Sequence, residues 1–456
     1  MKNLKLVFLF LLIIGNLFSQ NKDSLALRRI ANDILNNGQC YQWLDHLSNK
    51  VGGRLSGSKG AAAAVEYTYQ TMKSLGVDTV YLQECMVPHW VRGAKESAKI
   101  ITSKKTEQQV PVCALGGSIA TPPEGLTAEV IEVREFDELK KLGIEGVKGK
   151  VVFYNRPFDE TEIRTFDAYG KAVNQRWSGP SEAAKYGAIG TVVRSMTGAL
   201  DDNPHTGGMG YKDSVAKVPC CAISTKGANL LSSMLKADPK LKFNFKMNCQ
   251  LLPDERSYNV VGEIRGSEHP EEIIVVGGHL DSWDTGNGAH DDGAGCMQSI
   301  EVLRVFKALG IRPKRTIRAV MFMNEENGGR GGDKYVELAK KQNEKHIAAV
   351  ESDAGGFSPK GFSMDMPDEK KNKILGWKDL FLQYGVYDFS QNGGGADISD
   401  LKAQGACLLG LLPDSQRYFD YHHTAIDTFD KVNKRELELG AASMAMMIWL
   451  ISEYGL

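Results

Sequence analysis

The sequence predicts an α/β fold: a mostly parallel, twisted sheet with helices on both faces, interrupted by an inserted strand-rich unit. Three observations carry this. Short β-branched runs, such as Ile273-Ile274-Val275-Val276, have the length and texture of strands buried on both faces of a parallel sheet. They alternate with longer segments of helical periodicity, such as Ala294 to Leu309 with Met297, Ile300, Leu303 and Phe306. Between about Thr106 and Cys249 the texture changes to short apolar runs divided by turns rich in Gly, Pro and Asp.

Taken in order, the chain opens with Lys2 and Lys5, an apolar run from Leu6 to Ile14 and a small residue at Ser19. That is the pattern of a secretory signal peptide over residues 1–19. The run falls short of the ~20 residues a stable membrane span needs. Leu25, Leu27, Ile30, Ile34 and Leu35 mark a helix over Ser24 to Asn36. Gly52 to Ser58 is a glycine-rich turn, Ala61 to Leu75 a second helix and Thr79 to Leu82 a strand. In the inserted stretch, Val151 to Tyr154, Ile189 to Val193 and Val218 to Ile223 are strands, with a helix over Ser181 to Tyr186. Asp201 to His205 carries metal-like residue types but reads as a polar surface turn. The main sheet resumes at Tyr258 to Ile264. After Ile273 and the Ala294 helix come a strand at Thr316 to Met323, a helix at Asp333 to Gln342 and a strand at Ile347 to Val350. A further strand at Ala406 to Leu412 and an amphipathic helix at Arg435 to Tyr454 close the chain.

At 456 residues the chain has room for two or three domains, and 42% hydrophobic with 24% charged residues is ordinary globular composition. A formal net charge of -1 gives no reason to expect nucleic acid or an anionic membrane as partner. The eight cysteines show no CxxC spacing, which argues against cysteine-ligated zinc; most read as small core residues, and export would permit disulfides that sequence cannot assign.

The chemistry sits at the strand ends. Ile273 to Val276 runs through two glycines into His279 and Asp281, followed by Asp291. Thr316 to Met323 runs into Glu325-Glu326, Ile347 to Val350 into Asp353, and the last strand is followed by His422-His423. Each alone is equally an acidic turn or a hydrogen-bonded surface pair. Together they matter, because parallel strands bring their C-terminal tips to one edge, where open α/β sheets place their sites. His279, Asp291, Glu326, Asp353 and His423 make five ligands, which suits two zinc ions sharing Asp291. Two Zn²⁺ against three carboxylates leave one positive charge, which a bridging hydroxide balances.

The set GGHLDSWDTGNGAHDDGAG, NEENGGRGG, ESDAGG and HHTAIDT resembles the M28 family of zinc peptidases, and within it the carboxypeptidase Q-like group. The resemblance spans nearly all of the chain after residue 19. It implies a zinc-peptidase fold with residues 20–105 as the N-terminal segment and first part of the peptidase domain, and residues 106–250 as an inserted protease-associated-like domain. Residues 251–456 would be the catalytic domain. It also implies one zinc on His279, Asp291 and Asp353, the other on Asp291, Glu326 and His423, with Glu325 as general base. Asp281 would orient His279, and Asp397, in Gly393 to Ile398, would face substrate. His290 departs from the family pattern and reads as a neighbour of the site; His422 reads as structural, because the family's ligand directly precedes the Thr. The function expected is an exported exopeptidase cleaving dipeptides or short peptides through a zinc-bridging hydroxide. An aminopeptidase of the same family is the alternative. A non-catalytic receptor-like relative or a one-zinc glutaminyl cyclase-like enzyme is disfavoured by the complete ligand set and the Glu325-Glu326 pair. The resemblance also allows a homodimer; specificity, oligomeric state and processing are left open.

Overall fold

A computed structural model describes residues 22–456 of the chain; the expected signal peptide lies outside the described residues. Two sheets organise the molecule. The first has seven strands in the order Thr79–Val91, Gln250–Ile264, Arg315–Phe322, His269–His279, Lys345–Glu351, Cys407–Pro413, Pro359–Asp365. Its four central strands, Arg315–Phe322 through Cys407–Pro413, run parallel. Antiparallel strands complete both edges.

The parallel centre follows from the apolar runs. Ile274, Val276, Ile317, Ala319, Ala348 and Val350 are fully buried and pack beneath the helices Lys59–Ser74, Ala294–Ala308 and Lys434–Tyr454. Val275, Val320 and Ala349 point to the opposite face, under the helix Arg330–Lys341 and the turn containing Ile398 and Leu401. Alternating side chains are thus buried on both faces, which explains why the strands read as continuous hydrophobic runs. Among the described residues no helix is long and apolar enough to cross a membrane.

Two strands extend further than their apolar patterns indicate. Thr79–Val91 pairs antiparallel with Gln250–Ile264 along its length, as a ribbon whose residues 250–256 are exposed. Residues 250–256 have no buried face and so leave no alternation to read, whereas Thr79–Val91 does alternate, burying Gln83, Cys85 and Val87. The edge strand Pro359–Asp365, absent from the sequence reading, is mostly buried.

The second sheet has eight strands, in the order Glu107–Val110, Ser97–Ile101, Lys242–Lys246, Leu126–Val133, Val151–Tyr154, Gly190–Arg194, Cys220–Ile223, Val112–Ala114. Its first and last strands are consecutive in the chain, separated by Pro111 alone. Proline has no N–H to give a ladder, so the chain bends there and supplies both edges. The stretch is richer in helix than its texture indicated, with Phe136–Val147, Thr165–Ala172 and Thr225–Ala237. All eight cysteines are buried and free.

Candidate metal centre

Parallel register sets the site. His279 lies opposite Phe322, and Gly277 lies opposite Glu351, which in turn faces Gly410. The residues just beyond these positions therefore emerge at one sheet edge. Gly278 is required by close approach: a Cβ there would sit 2.2 Å from Asp292 Oδ2 and 3.0 Å from Ser352 O.

The five sequence-predicted ligands converge. His279 Nε2 lies 3.2 Å from Asp291 Oδ1 and 3.4 Å from Asp353 Oδ1. His423 Nε2 lies 3.1 Å from Glu326 Oε2 and 3.3 Å from Asp291 Oδ2. Asp291 thus faces one histidine with each oxygen, and Oδ2 is buried without a hydrogen-bond partner. His279 Nδ1 is 3.0 Å from the Asp281 carbonyl, and His423 Nδ1 is 3.3 Å from the Thr206 carbonyl. Each Nδ1–H donates to a backbone oxygen, so Nε2 is the ring atom that each histidine turns toward the carboxylates. A metal-binding histidine needs this arrangement.

The electrostatics describe a cluster with too much negative charge. Burial would depress His279, but Asp353 and Asp291 hold it well above the usual histidine range. Burial opposes the same effect at His423, where Glu326 and Asp291 push the ring up to about 10. Glu326 is raised to about 7 by burial and by Asp291. Burial, reinforced by Asp353 and Glu326, raises Glu325 well above the carboxylate range. Several carboxylates buried in contact are costly unless cations compensate them. Oxygen and imidazole donors within 4.8 Å of one another, in trios such as His279, Asp291 and Glu326, fit a divalent metal.

Other residues shape the centre. Asp281 faces His279 chiefly through its backbone, its carboxylate being 3.9 Å from Nδ1. That carboxylate instead accepts the amides of Asn324 (2.7 Å), Glu325 (3.1 Å) and Glu326 (3.4 Å), fixing the turn that carries both glutamates. Asn324 and His423 sit at φ 74° and 63°, the left-handed region that asparagine and histidine tolerate better than most non-glycine residues. Asp397 is buried and lines the same cavity as Glu325, with neither carboxylate oxygen hydrogen-bonded. Its loop is held by Glu351, which accepts the amides of Ala396 (2.8 Å) and Ile398 (3.2 Å). His290 accepts the Gly356 amide at 3.1 Å and stacks on Phe357. His422 stacks on His423 with ring centroids 3.5 Å apart.

Sequence reading missed four contributors. Arg54, fully buried, donates to the carbonyls of Leu280, Asn287 and Gly288, tying the Gly52 to Ser58 turn to the loop before Asp291. Asp427 accepts the amides of His290 (2.8 Å) and Asp291 (3.1 Å); its position inside HHTAIDT was the available signal. Arg176 places Nη1 3.3 Å from the Thr206 carbonyl, which His423 also meets. His205 is buried rather than on a surface turn, and burial pushes it down to about 3. A lone arginine or histidine far away in sequence carries no periodicity that marks it.

The model of peptidase family M28 matches residues 259–448. Carboxypeptidase Q from Mus musculus and from Homo sapiens are each 37% identical over 413 residues, 91% of this chain and 85% of theirs. The crystal structure of a peptidase M28 precursor from Shewanella amazonensis is similar with a TM-score of 0.90 and 33% identity. That match covers 95% of this chain and 97% of that one. A zinc aminopeptidase from Bacillus subtilis shares the fold, with a TM-score of 0.63 at 19% identity over 89% of this chain and 94% of its own.

Proposed function

The chain belongs to peptidase family M28 and is a zinc metallopeptidase, and from that premise we propose that it is an exported di-zinc exopeptidase acting on dipeptides and short peptides. The single observation that carries the two-metal reading is Asp291, one carboxylate facing His279 with Oδ1 and His423 with Oδ2. His279, Asp291 and Asp353 would hold one zinc, and Asp291, Glu326 and His423 the other. Residues 106–250 are read as a protease-associated-like insert, and a homodimer is an expectation carried over from the family resemblance.

Zinc bound there supplies Lewis acidity, which polarises a carbonyl and acidifies water. The chain's own residues do the rest. Glu325 lines the cavity beside the ligands and is the proton carrier: it takes a proton from the attacking water and delivers one to the departing amine. Asp281 fixes the Glu325 backbone, so the carboxylate meets the reaction at a set place. Asp397 lies in the cavity lining with both carboxylate oxygens buried and unpartnered, and Asp333 and Asp400 line the same cavity. Arg176 is occupied by the Thr206 and Gly208 carbonyls and by Tyr169. A surplus of free carboxylates favours an α-ammonium over an α-carboxylate, so the enzyme reads the free amino end of its substrate. This favours the aminopeptidase-type alternative over a carboxypeptidase that tolerates blocked amino ends.

The test is zinc-loaded protein against free dipeptides and their N-acetylated forms, followed by mass spectrometry. Free dipeptides are expected to be cleaved and acetylated ones spared. Cleavage of neither would sink the dipeptide reading, and equal cleavage of both would remove Asp397 from substrate recognition.

A further inference from the structure

Resting on that reading of the site, we propose that the segment Thr165–Trp177 is a fixed end wall of the substrate cleft, and that Phe166 and Trp177 set the length of peptide accepted. The segment is contributed by the stretch that forms the second sheet, yet it lies against the metal centre. Phe166, Tyr169 and Trp177 line the same cavity as Glu325, Asp353 and Asp397.

Its anchorage is on the peptidase side. Thr165 Oγ1 lies 2.9 Å from the Ser415 carbonyl and 2.8 Å from Ser415 Oγ. Gln416 Nε2 donates to the Ile163 carbonyl at 2.8 Å. Phe166 stacks on Tyr418 with ring centroids 5.4 Å apart, and Tyr169 stacks on Phe419 at 4.8 Å. Tyr418 and Phe419 lead directly into His422 and His423, so the wall is tied to a metal-ligand loop. Arg176, on the same segment, meets the Thr206 carbonyl behind His423. A segment held by hydrogen bonds and stacked rings at several points is a wall rather than a swinging lid.

Two of its aromatic side chains are nevertheless left open. Phe166 is 41% exposed and Trp177 is 55% exposed. Large apolar surface at the rim of a polar site marks a contact surface. The cavity they bound measures about 460 Å³, near the small end of ligand sites. Phe166 also borders an adjoining cavity of about 360 Å³ that includes Gly393, Gly394 and Leu411. It therefore stands where a chain continuing past the scissile bond, at ~3.3–3.6 Å per residue, would have to go. A dipeptide ends before the wall; a tetrapeptide meets it.

The experiment compares kcat/KM for a dipeptide and for a tetrapeptide with the same two leading residues, using zinc-loaded full chain. The proteins are wild type, Phe166→Ala, Trp177→Ala and Phe166→Tyr, with melting temperature and zinc content measured for each. The wild type is expected to prefer the dipeptide by ~10²-fold or more, and each alanine variant to narrow that preference by ~10-fold, within the range pocket contacts give. Phe166→Tyr is expected to keep the wild-type ratio. If Phe166→Ala does not fold, the half-exposed Trp177→Ala carries the test alone. An unchanged ratio in folded alanine variants, or a wild type that cleaves both lengths equally, overturns the wall while leaving the peptidase reading intact. A wild type that cleaves neither peptide overturns the functional reading and this proposal with it.

Discussion

Glu325 and Glu326 are neighbours whose carboxylates do different work. Glu326 faces His423 at 3.1 Å and accepts the Trp283 amide at 3.2 Å, so it is committed to the ligand cluster. Glu325 opens on the cavity and has Asp281 holding only its backbone. The division, with Glu326 among the ligands and Glu325 as base, was an expectation from the family resemblance, and the turn that Asp281 holds is what sets the two side chains apart. Replacing Glu325 with Gln preserves size and removes the titratable oxygen. The variant is expected to retain its zinc and lose ~10²–10⁴ in kcat. Turnover and metal analysis on one preparation check this; wild-type turnover would take Glu325 out of the mechanism.

At the scale of elements, the parallel strands have a chemical end and a structural end. The strand Lys345–Glu351 leads into Asp353 at one end, and His346 lies near the other. His346 Nε2 meets the Tyr335 hydroxyl at 2.8 Å. Burial, helped by Arg318, depresses it from 6.5 to about 4. Because the folded pKa lies below the unfolded one, the unfolded chain binds the extra proton between them. The contribution is complete above pH 6.5 and is lost as pH falls toward 4, a change of about 3 kcal/mol by linkage. His346→Gln is expected to flatten the decline in stability over that window by about that amount, as read by urea unfolding at a series of pH values. Equal acid sensitivity in wild type and variant would show that His346 titrates normally. The same scale explains what was missed. Gln250–Ile264 is exposed along its first half, so its pairing with Thr79–Val91 shows in register and not in hydrophobic pattern.

For the molecule as a whole, the metal centre is where distant parts of the chain meet. Arg54 comes from the N-terminal turn, Arg176 and Thr206 from the stretch of the second sheet, and the candidate ligands from three strand ends, the turn before the Ala294 helix and a late loop. Buried carboxylates in contact store repulsion that bound cations relieve, so metal occupancy should stabilise the whole fold by mass action. Chelation is expected to lower the melting temperature, and stoichiometric zinc to restore it. The stoichiometry of recovery tests the two-site reading: restoration complete at one equivalent would contradict a pair of ions sharing Asp291. A chelated protein with unchanged melting temperature would show that the cluster is stable through protonation alone.

The sequence by itself determined the parallel centre, the strand-end placement of His279, Glu326 and Asp353, and the candidate ligand set. It could do so because burial on both faces writes continuous apolar runs, and a strand's end is written where the run stops. Only the tertiary structure showed that Asp281 holds a turn more than it orients a ring. It also showed that Arg54, Arg176 and Asp427 brace the site and that an aromatic segment from the second sheet's stretch lines the cavity beside Glu325. Those facts rest on contacts between residues hundreds of positions apart, such as Arg54 with Gly288 and Arg176 with the His423 loop. Such contacts leave no local period in the chain, and only the folded backbone brings them within hydrogen-bonding reach.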